Sequence, residues 1–393
     1  MKKNIENHFY NLQEIKEQKL YCDLLSAASS LSRIFSENDA PYLSSRSVEN
    51  IFCYAFGSEN LSRTDCSVDA KHGNIGIGIK TFLHNSGNTL QKIAEFNKDI
   101  NLYNNQNDED TIRIIAKLRN ERLMFTIRTY SLQKIIYHCV TRHNSILHIF
   151  EETMDLIDIK NICNIRNTGA SIQFDDGINE YSFHKSKSTL FKRFKTESPL
   201  ISINIKIIDD PFLVIMGLLK LEESVDSVIS SKISIPTINS PKALEYVILP
   251  LYSMKNGEKY VYAKSGLNQW NASGRARDFD EVYIQIKKII HRKFPDFFPP
   301  RDQAFNLILP NGNIMSAKVC QDESKALMSN PNKSLGYWIL REVLNLKPGE
   351  LVDYSRLKML GVDSVKLSKK DNQNFYIDFC EIDEYEVFEE LYL

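Results

Sequence analysis

The stretch from Asp65 to Glu95 contains the residue types that phosphodiester hydrolysis requires. That reaction needs a metal ion to polarise the phosphate and generate hydroxide, carboxylates to hold the ion, and usually a lysine that orients the water. Asp69, Lys80 and Glu95 could supply these parts. Their spacing is weakly diagnostic by itself, because 25% of the residues are charged.

The predicted local structure brings Asp69 and Lys80 to one edge of a sheet. The segments SVDA and IGIGIKTF flank a polar KHGN break, which predicts a β-hairpin with a Gly-Asn turn. Asp69, at the end of the first strand, can then face Lys80 across the hairpin. Gly76 and Gly78 permit close approach of a ligand, and an ammonium beside such an apolar strand is costly without a counter-charge. The alternative is that Lys80 projects from the strand end into solvent.

The block DCSVDAKHGNIGIGIKTF, followed by QKIAEFNK, resembles the core of PD-(D/E)XK nucleases whose second acidic residue has migrated. In that variant, found in restriction enzymes of the Cfr and EcoRII type, a glutamate of the following helix replaces the acid two positions before the lysine. Gly78 holds the vacated position here, and Glu95 is the replacement. The resemblance implies that Asp69 and Glu95 bind Mg²⁺ and that Lys80 assists the attacking water.

Two further acids near this motif keep alternative roles. Asp65 competes with Asp69 as the first metal ligand, and Glu49 matches a helix glutamate often found behind such a site or is a surface residue. Other hydrolytic chemistries have less support: the H-x-K letters of phospholipase-D-like nucleases recur at 291–293 without the expected downstream Asn. Neither a G-x-S-x-G nor a G-x-x-x-x-G-K-[ST] motif is present.

The C-terminal part carries polar side chains suited to reading DNA. The run LNQWNASGRAR combines amides that bind adenine edges, arginines that bind guanine and an aromatic ring that can brace the loop. Together with EVYI, FPDFFPPR and QD-x-x-KAL, it resembles the DNA-binding domain of restriction enzymes of the BfiI and NgoFVII group. That domain is similar to the B3 pseudobarrel of plant transcription factors, and the likeness covers roughly residues 245–380.

The resemblance implies two arms that clasp the major groove. The alternative is that Trp270 packs inward and that about half of the polar groups only shape turns. In the first arm we expect Asn268, Gln269, Trp270, Asn271, Arg275 and Arg277 to contact DNA; in the second, the loop 321–333, we expect Gln321, Lys325, Asn330, Asn332 and Lys333 to do so.

A third basic segment, YSFHKSKSTLFKRF, could grip phosphates at the start of a helix. Lys187 and Arg193 are its candidate DNA contacts. A solvated amphipathic helix is the alternative interpretation of the same pattern.

The pattern of secondary structure predicts an α+β protein of two domains. We expect a restriction-endonuclease-like α/β core in residues 1–238, with helices at Thr89–Asn97 and Asp108–Leu123. An earlier helix is expected to carry Leu24, Ala28, Leu31 and Phe35 on one face, and Ser47 is expected to cap the next helix. The Ser- and Pro-rich SISIPTINSPK segment predicts a linker, and the short strands after it predict a β-pseudobarrel in residues 239–393, which ends in an acidic tail.

The composition sets the remaining expectations. The seven cysteines have no zinc-ligand spacing, and no apolar stretch has the length of a signal peptide or a membrane span, so we expect a reduced, cytoplasmic protein that does not bind membranes. The formal net charge of −1 leaves room for local basic faces. The sequence thus predicts a Type II-like restriction endonuclease that cuts double-stranded DNA as a homodimer, with a cognate DNA methyltransferase. The alternative is a DNA-binding protein, reading sequence or base modification, whose nuclease-like domain is inactive.

Overall fold

The computed structural model describes residues 8–62, 66–217 and 244–393, and it has the mixed α+β architecture that the sequence predicts. The chain divides into two compact units. The domain boundary expected near residue 238 and its linker lie outside the described residues. Unit one comprises Met1–Arg63, Val68–Arg119 and Leu132–Asn239, and unit two comprises Thr64–Ser67, Asn120–Ser131 and Ser240–Leu393.

Unit one contains two β-sheets. The first has the order β1-β2-β3-β5-β6-β11, in which β3 and β5 are parallel and the other neighbours are antiparallel. The second sheet has the order β4-β10-β9-β8-β7. The strands are β1 (Glu59–Asn60), β2 (Ala70–His72), β3 (Ile75–Leu83), β4 (Asn88–Glu95), β5 (Lys134–His143), β6 (Ile146–Thr153), β7 (Cys163–Asn167), β8 (Ser171–Asp175), β9 (Glu180–His184), β10 (Thr189–Lys195) and β11 (Ile201–Asn204).

Helices of unit one cover the first sheet with an apolar layer. Phe9, Tyr21 and Phe52 are buried there with Ile77 and Ile79 of β3. Together they form the hydrophobic core on this face of the sheet. The helices are α1 (Phe9–Leu12), α2 (Ile15–Ser30), α3 (Ser45–Ala55), α4 (Ile100–Tyr103), α5 (Asp108–Thr129) and α6 (residues 211–217).

The buried face of α2 differs from the expected one. Its buried residues are Tyr21, Leu25 and Ser29, rather than the face of Leu24, Ala28, Leu31 and Phe35. The Tyr21 hydroxyl forms a hydrogen bond of 2.9 Å with the buried His138 imidazole. This contact holds Tyr21 on the buried face of α2. The cap of α3 is also shifted: Ser44 is the N-cap, and its side chain accepts a hydrogen bond from the Ser47 N–H.

Two segments expected to be helical are strands of the second sheet. Residues 89–97 fall largely in β4, which pairs with β10 along its whole length. The segment YSFHKSKSTLFKRF forms β9, a short turn and β10 instead of a helix. Pairing between β4 and β10, about a hundred residues apart, makes residues 89–97 a strand, and the basic segment folds back on itself as the β9–β10 hairpin.

Unit two contains a seven-stranded, nearly closed pseudobarrel with the order β12-β19-β20-β16-β17-β18-β15. Its edge strands β12 and β15 approach each other. Strands β13 and β14 form a separate ribbon. The strands are β12 (Tyr246–Pro250), β13 (Ser253–Lys255), β14 (Glu258–Tyr260), β15 (Ile284–Gln285), β16 (Ala304–Ile308), β17 (Ile314–Cys320), β18 (Ala326–Ser329), β19 (Val362–Lys369) and β20 (Asn374–Glu381).

Helices close the core of unit two. Trp338 and Phe375 are among its largest fully buried side chains. The last residues of α5 also belong to this unit, and Phe125 packs into its core. The expected acidic tail folds as a helix. The remaining helices are α7 (Lys288–Lys293), α8 (Ser334–Gly336) with its π-helical continuation (Tyr337–Val343), α9 (Tyr354–Leu360) and α10 (Glu384–Tyr392).

Candidate functional site

The hairpin of β2 and β3 fixes the position of Asp69. Ala70 pairs with Ile77, so Asp69, immediately before β2, lies opposite Gly78 and close to Lys80. The Asp69 N–H donates to Ile77 O at 2.9 Å, and its carboxylate accepts from the Ile79 N–H at 2.6 Å. Backbone contacts therefore hold this carboxylate beside the strand that carries Lys80.

Glu49 of α3 joins Asp69 and Lys80. This residue is 8% exposed, and its carboxylate lies 3.1 Å from Arg46 Nη1. Burial is the main cause that raises the pKa of Glu49; the charge of Asp69 raises the pKa further, while Arg46 and Lys80 lower it. Two carboxylates that repel each other next to a lysine make an arrangement that a divalent cation would relieve.

Glu95 lies elsewhere, on β4 of the second sheet rather than on a helix. Its carboxylate binds Lys92 at 2.5 Å and the Asn97 amide at 2.9 Å. The Lys92 contact lowers the pKa of Glu95. Glu95 thus already has a cationic partner, and Glu49 is the acid that the structure brings to Asp69. The alternative ligand Asp65 lies outside the described residues.

Apolar side chains surround Gly78. A Cβ atom there would lie 2.5 Å from Met154 Cε and 3.1 Å from Tyr137 Cδ1. Apolar side chains therefore fill the volume that an acidic residue at this point of β3 would need.

Sequence reasoning missed an ion pair on the same sheet face. Tyr137 pairs with both Gly78 and Glu152, so the Glu152 side chain projects from the Gly78 face. Glu152 binds the ammonium of Lys192, whose side chain is 3% exposed. The charges of Glu152, Lys80 and Lys192 all act on the buried thiol of Cys139, although burial is the main cause that raises its pKa. Two consecutive acids in β6, a strand inside a sheet, are the signal that could have indicated a buried charge.

In unit two, Asn268 organises the first arm from inside. It is fully buried; its amide donates to Tyr262 O at 3.1 Å and Val352 O at 2.8 Å, and its carbonyl accepts from the Val352 N–H at 2.9 Å. A base edge cannot reach it, so the expected DNA contact is corrected to a structural role.

The other residues of this arm either brace the loop or are exposed on its surface. The Asn271 amide donates to Ala263 O at 2.9 Å, and Arg277 donates to Ala272 O at 2.6 Å, so both brace the loop. Trp270 packs edge-on against Phe279 at 5.3 Å between ring centroids. Arg275 is exposed and pairs with Glu281, which keeps the pKa of Glu281 low. Gln269 is half-buried.

The second arm is two loops instead of one. Strand β18 interrupts residues 321–333, so Gln321 and Lys325 lie at one end of it and Asn330, Asn332 and Lys333 at the other. The latter three are exposed, and Lys333 Nζ lies 4.0 Å from Asp278 of the first arm. The structure therefore brings only the Asn330–Lys333 end next to the first arm.

The basic segment of unit one carries its two candidate contacts on a hairpin. Lys187 is exposed in the turn between β9 and β10. The Arg193 guanidinium lies on β10 and binds Glu180 at 2.9 Å.

Three carboxylates of unit two, Asp363, Asp383 and Glu386, lie close enough together to hold a metal ion. Lys259 Nζ already lies 2.7, 2.8 and 2.6 Å from them, respectively. The ammonium therefore takes the position that a cation would occupy.

Residues 245–371 match the model of the NgoFVII C-terminal B3-like DNA-binding domain. Unit two thus carries a B3-like DNA-binding domain of a kind found in restriction enzymes, and the pseudobarrel predicted from sequence is confirmed. A search of curated proteins found no match to the chain. Among the described residues, no helix combines the length and apolar character needed to cross a bilayer.

Proposed function

We propose that this protein is a sequence-specific endonuclease that cuts double-stranded DNA with Mg²⁺. The observation that carries the proposal is the convergence of Glu49, Asp69 and Lys80 in unit one of a chain whose unit two is a B3-like DNA-binding domain. The B3-like domain finds the target sequence, and unit one hydrolyses the backbone.

The donor set suits Mg²⁺. The Asp69 and Glu49 carboxylates offer the oxygen ligands that this hard cation prefers, and their mutual repulsion favours its binding. When bound, Mg²⁺ polarises the scissile phosphate and lowers the pKa of a bound water. Ile79 N–H orients Asp69. Lys80 orients the attacking water and stabilises the negative charge that develops on the phosphate.

The two arms of unit two divide the work of recognition. Arg275, Asn330, Asn332 and Lys333 are exposed and supply contacts to DNA, whereas Asn268, Asn271 and Arg277 hold the first arm in shape. Arginine and asparagine at base edges give specificity, and lysine at phosphates gives affinity. Cutting both strands with one centre per chain favours a homodimer, and a cognate methyltransferase would protect the host sites.

Cleavage of unmethylated phage DNA by the purified full-length protein tests this proposal. Discrete fragments that require Mg²⁺ and vanish with EDTA or with Lys80→Ala support it. Tight, sequence-specific binding without cleavage would overturn it in favour of a DNA-binding protein with an inactive nuclease-like unit. That second function is favoured by one observation, the absence of an acid at Gly78.

A further inference from the structure

Three of the eight histidines lie close together at one end of the first sheet, on or next to three neighbouring strands. His84 directly follows β3, His143 is the last residue of β5 and His148 belongs to β6. The His84 ring centroid is 4.9 Å from that of His148 and 6.2 Å from that of His143. All three residues belong to unit one.

Hydroxyl groups fix two of these rings through one nitrogen each. His84 Nδ1 lies 3.0 Å from Thr141 Oγ1, and His148 Nδ1 lies 2.7 Å from Ser202 Oγ. With each Nδ1–H donating to its hydroxyl, each Nε2 keeps its lone pair. Histidines that bind metals have this arrangement, in which an outer hydrogen bond orients the ring and sets its tautomer.

The surroundings keep the same two rings neutral. Burial, followed by the charge of His143, lowers the pKa of His84. Burial, followed by the charges of His84 and His143, lowers the pKa of His148. Phe150 also stacks on His84 at 5.7 Å, with an interplanar angle of 12°, and restricts its rotation. Neutral imidazole is the form that binds metal ions.

The separation of His84 and His148 suits two ligands of one metal ion. A Zn–N bond of about 2.0–2.1 Å places the metal about 3.2 Å from a ring centroid, so two rings at a tetrahedral angle have centroids about 5 Å apart. The His84–His148 separation of 4.9 Å meets this value. The His84–His143 separation of 6.2 Å is longer, and the three rings do not yet bring three nitrogens close enough for one ion. His143, which is exposed, must therefore turn toward the other two.

We propose that His84, His148 and His143 form a binding site for a borderline divalent cation of the Zn²⁺ or Ni²⁺ type. His84 and His148 are the fixed ligands, and His143 turns in as the third. Imidazole ligands select such ions over Mg²⁺, which prefers oxygen. The site is therefore distinct from the proposed Mg²⁺ centre: His84 is four positions beyond Lys80, about 13 Å along an extended strand. A bound ion links the ends of β3, β5 and β6.

Calorimetric titration of the EDTA-treated full-length protein with Zn²⁺, and separately with Ni²⁺, tests the proposal. We expect one equivalent to bind in the presence of millimolar Mg²⁺ and to raise the unfolding midpoint by several degrees. His148→Gln and His143→Ala should each weaken binding at least tenfold. His184→Gln, which alters a histidine on β9, is the matched control and should change nothing.

His143→Ala keeps the test decisive if the half-buried variants fold poorly, because His143 is exposed. Zn²⁺ affinity that is equal in wild type, His143→Ala and His148→Gln would overturn the proposal. DNA cleavage is not part of the measurement, so the result is independent of the proposed nuclease function.

Discussion

The backbone N–H of Ile79 donates to the carboxylate of Asp69 at 2.6 Å. This bond joins the residue before β2 to the residue before Lys80 on β3. The hairpin itself therefore positions the acid close to the lysine, and β5, which pairs with β3 on its other side, holds the strand that carries Lys80. Disturbing either side chain should affect chemistry more than folding.

Lys80→Ala should abolish Mg²⁺-dependent cleavage and leave DNA binding unchanged. The lysine is half-buried at the proposed centre, and removing it takes away charge stabilisation of the phosphate, a loss of about 10²-fold or more. Cleavage assays and gel-shift titrations measure the two properties. The control is Lys117→Ala, an exposed change on α5; equal activity of both variants would contradict the role of Lys80.

Glu49→Gln should lower cleavage by about 10²-fold and slightly stabilise the protein at pH 8. Because burial and Asp69 raise the pKa of Glu49, its ionised form opposes folding, and this cost grows as the pH rises through the raised pKa. The unfolding midpoint of the variant should exceed that of wild type by about 2 °C at pH 8 and by less at pH 5. A stabilisation that is larger at pH 5 than at pH 8 would contradict the conclusion that ionised Glu49 opposes folding.

Asn268→Ala and Arg275→Ala should separate structure from recognition. The first variant removes the side-chain partner of three backbone groups, the two at Val352 being buried, and should lower the free energy of unfolding by about 2–4 kcal/mol. The second removes the partner of Glu281 and should lower stability by less than the first does, but it should weaken binding to the specific site by about 1–3 kcal/mol. Denaturation and binding isotherms report both, with Lys255→Ala, an exposed change on the ribbon, as control. If the Arg275→Ala variant keeps its affinity for the specific site, Arg275 does not contribute to sequence recognition.

Lys259→Met should destabilise unit two at neutral pH and lose much of that effect on acidification. Without the ammonium, Asp363, Asp383 and Glu386 repel one another, which costs about 3 kcal/mol. Burial raises the pKa of Asp363 and the Lys259 charge lowers it, so without Lys259 this pKa rises further and stability returns as the pH falls toward about 4–5. Urea denaturation at several pH values measures this, and a defect that does not depend on pH would contradict the electrostatic cause.

Glu152→Gln should destabilise unit one by about 3 kcal/mol, because it leaves the buried Lys192 ammonium without its carboxylate. The double variant with Lys192→Met should recover most of that loss, which a double-mutant cycle measures. If the two single changes add, the pair is not coupled.

Local patterns in the sequence predicted the β2–β3 hairpin, because its turn and its alternating residues lie within one short segment. They failed for Glu95, because residues 88–95 became a strand only through pairing with β10, about a hundred residues later. A site that depends on such pairing cannot be located from spacing alone.

The DNA-reading arms show the same division. The sequence predicted a pseudobarrel, and the family match confirms its type. The sequence pattern could not distinguish the buried Asn268 from the exposed Asn330. An asparagine that bonds to the backbone and one that faces solvent have the same residue type. The short β18, too brief for a clear alternation, likewise divided a predicted loop.

Helix α5 changes how the chain can be divided. Its residues after Arg119 belong to unit two, where Phe125 packs 5.2 Å from Phe379 between ring centroids and Arg128 donates to Val343 O at 2.8 Å. A fragment that begins after residue 239 lacks this C-terminal part of α5 and exposes apolar surface that the intact chain covers. The DNA-binding half is therefore not a cassette that gene fusion can transplant as one continuous piece: exchange of specificity between relatives would have to carry residues 120–131 along with it.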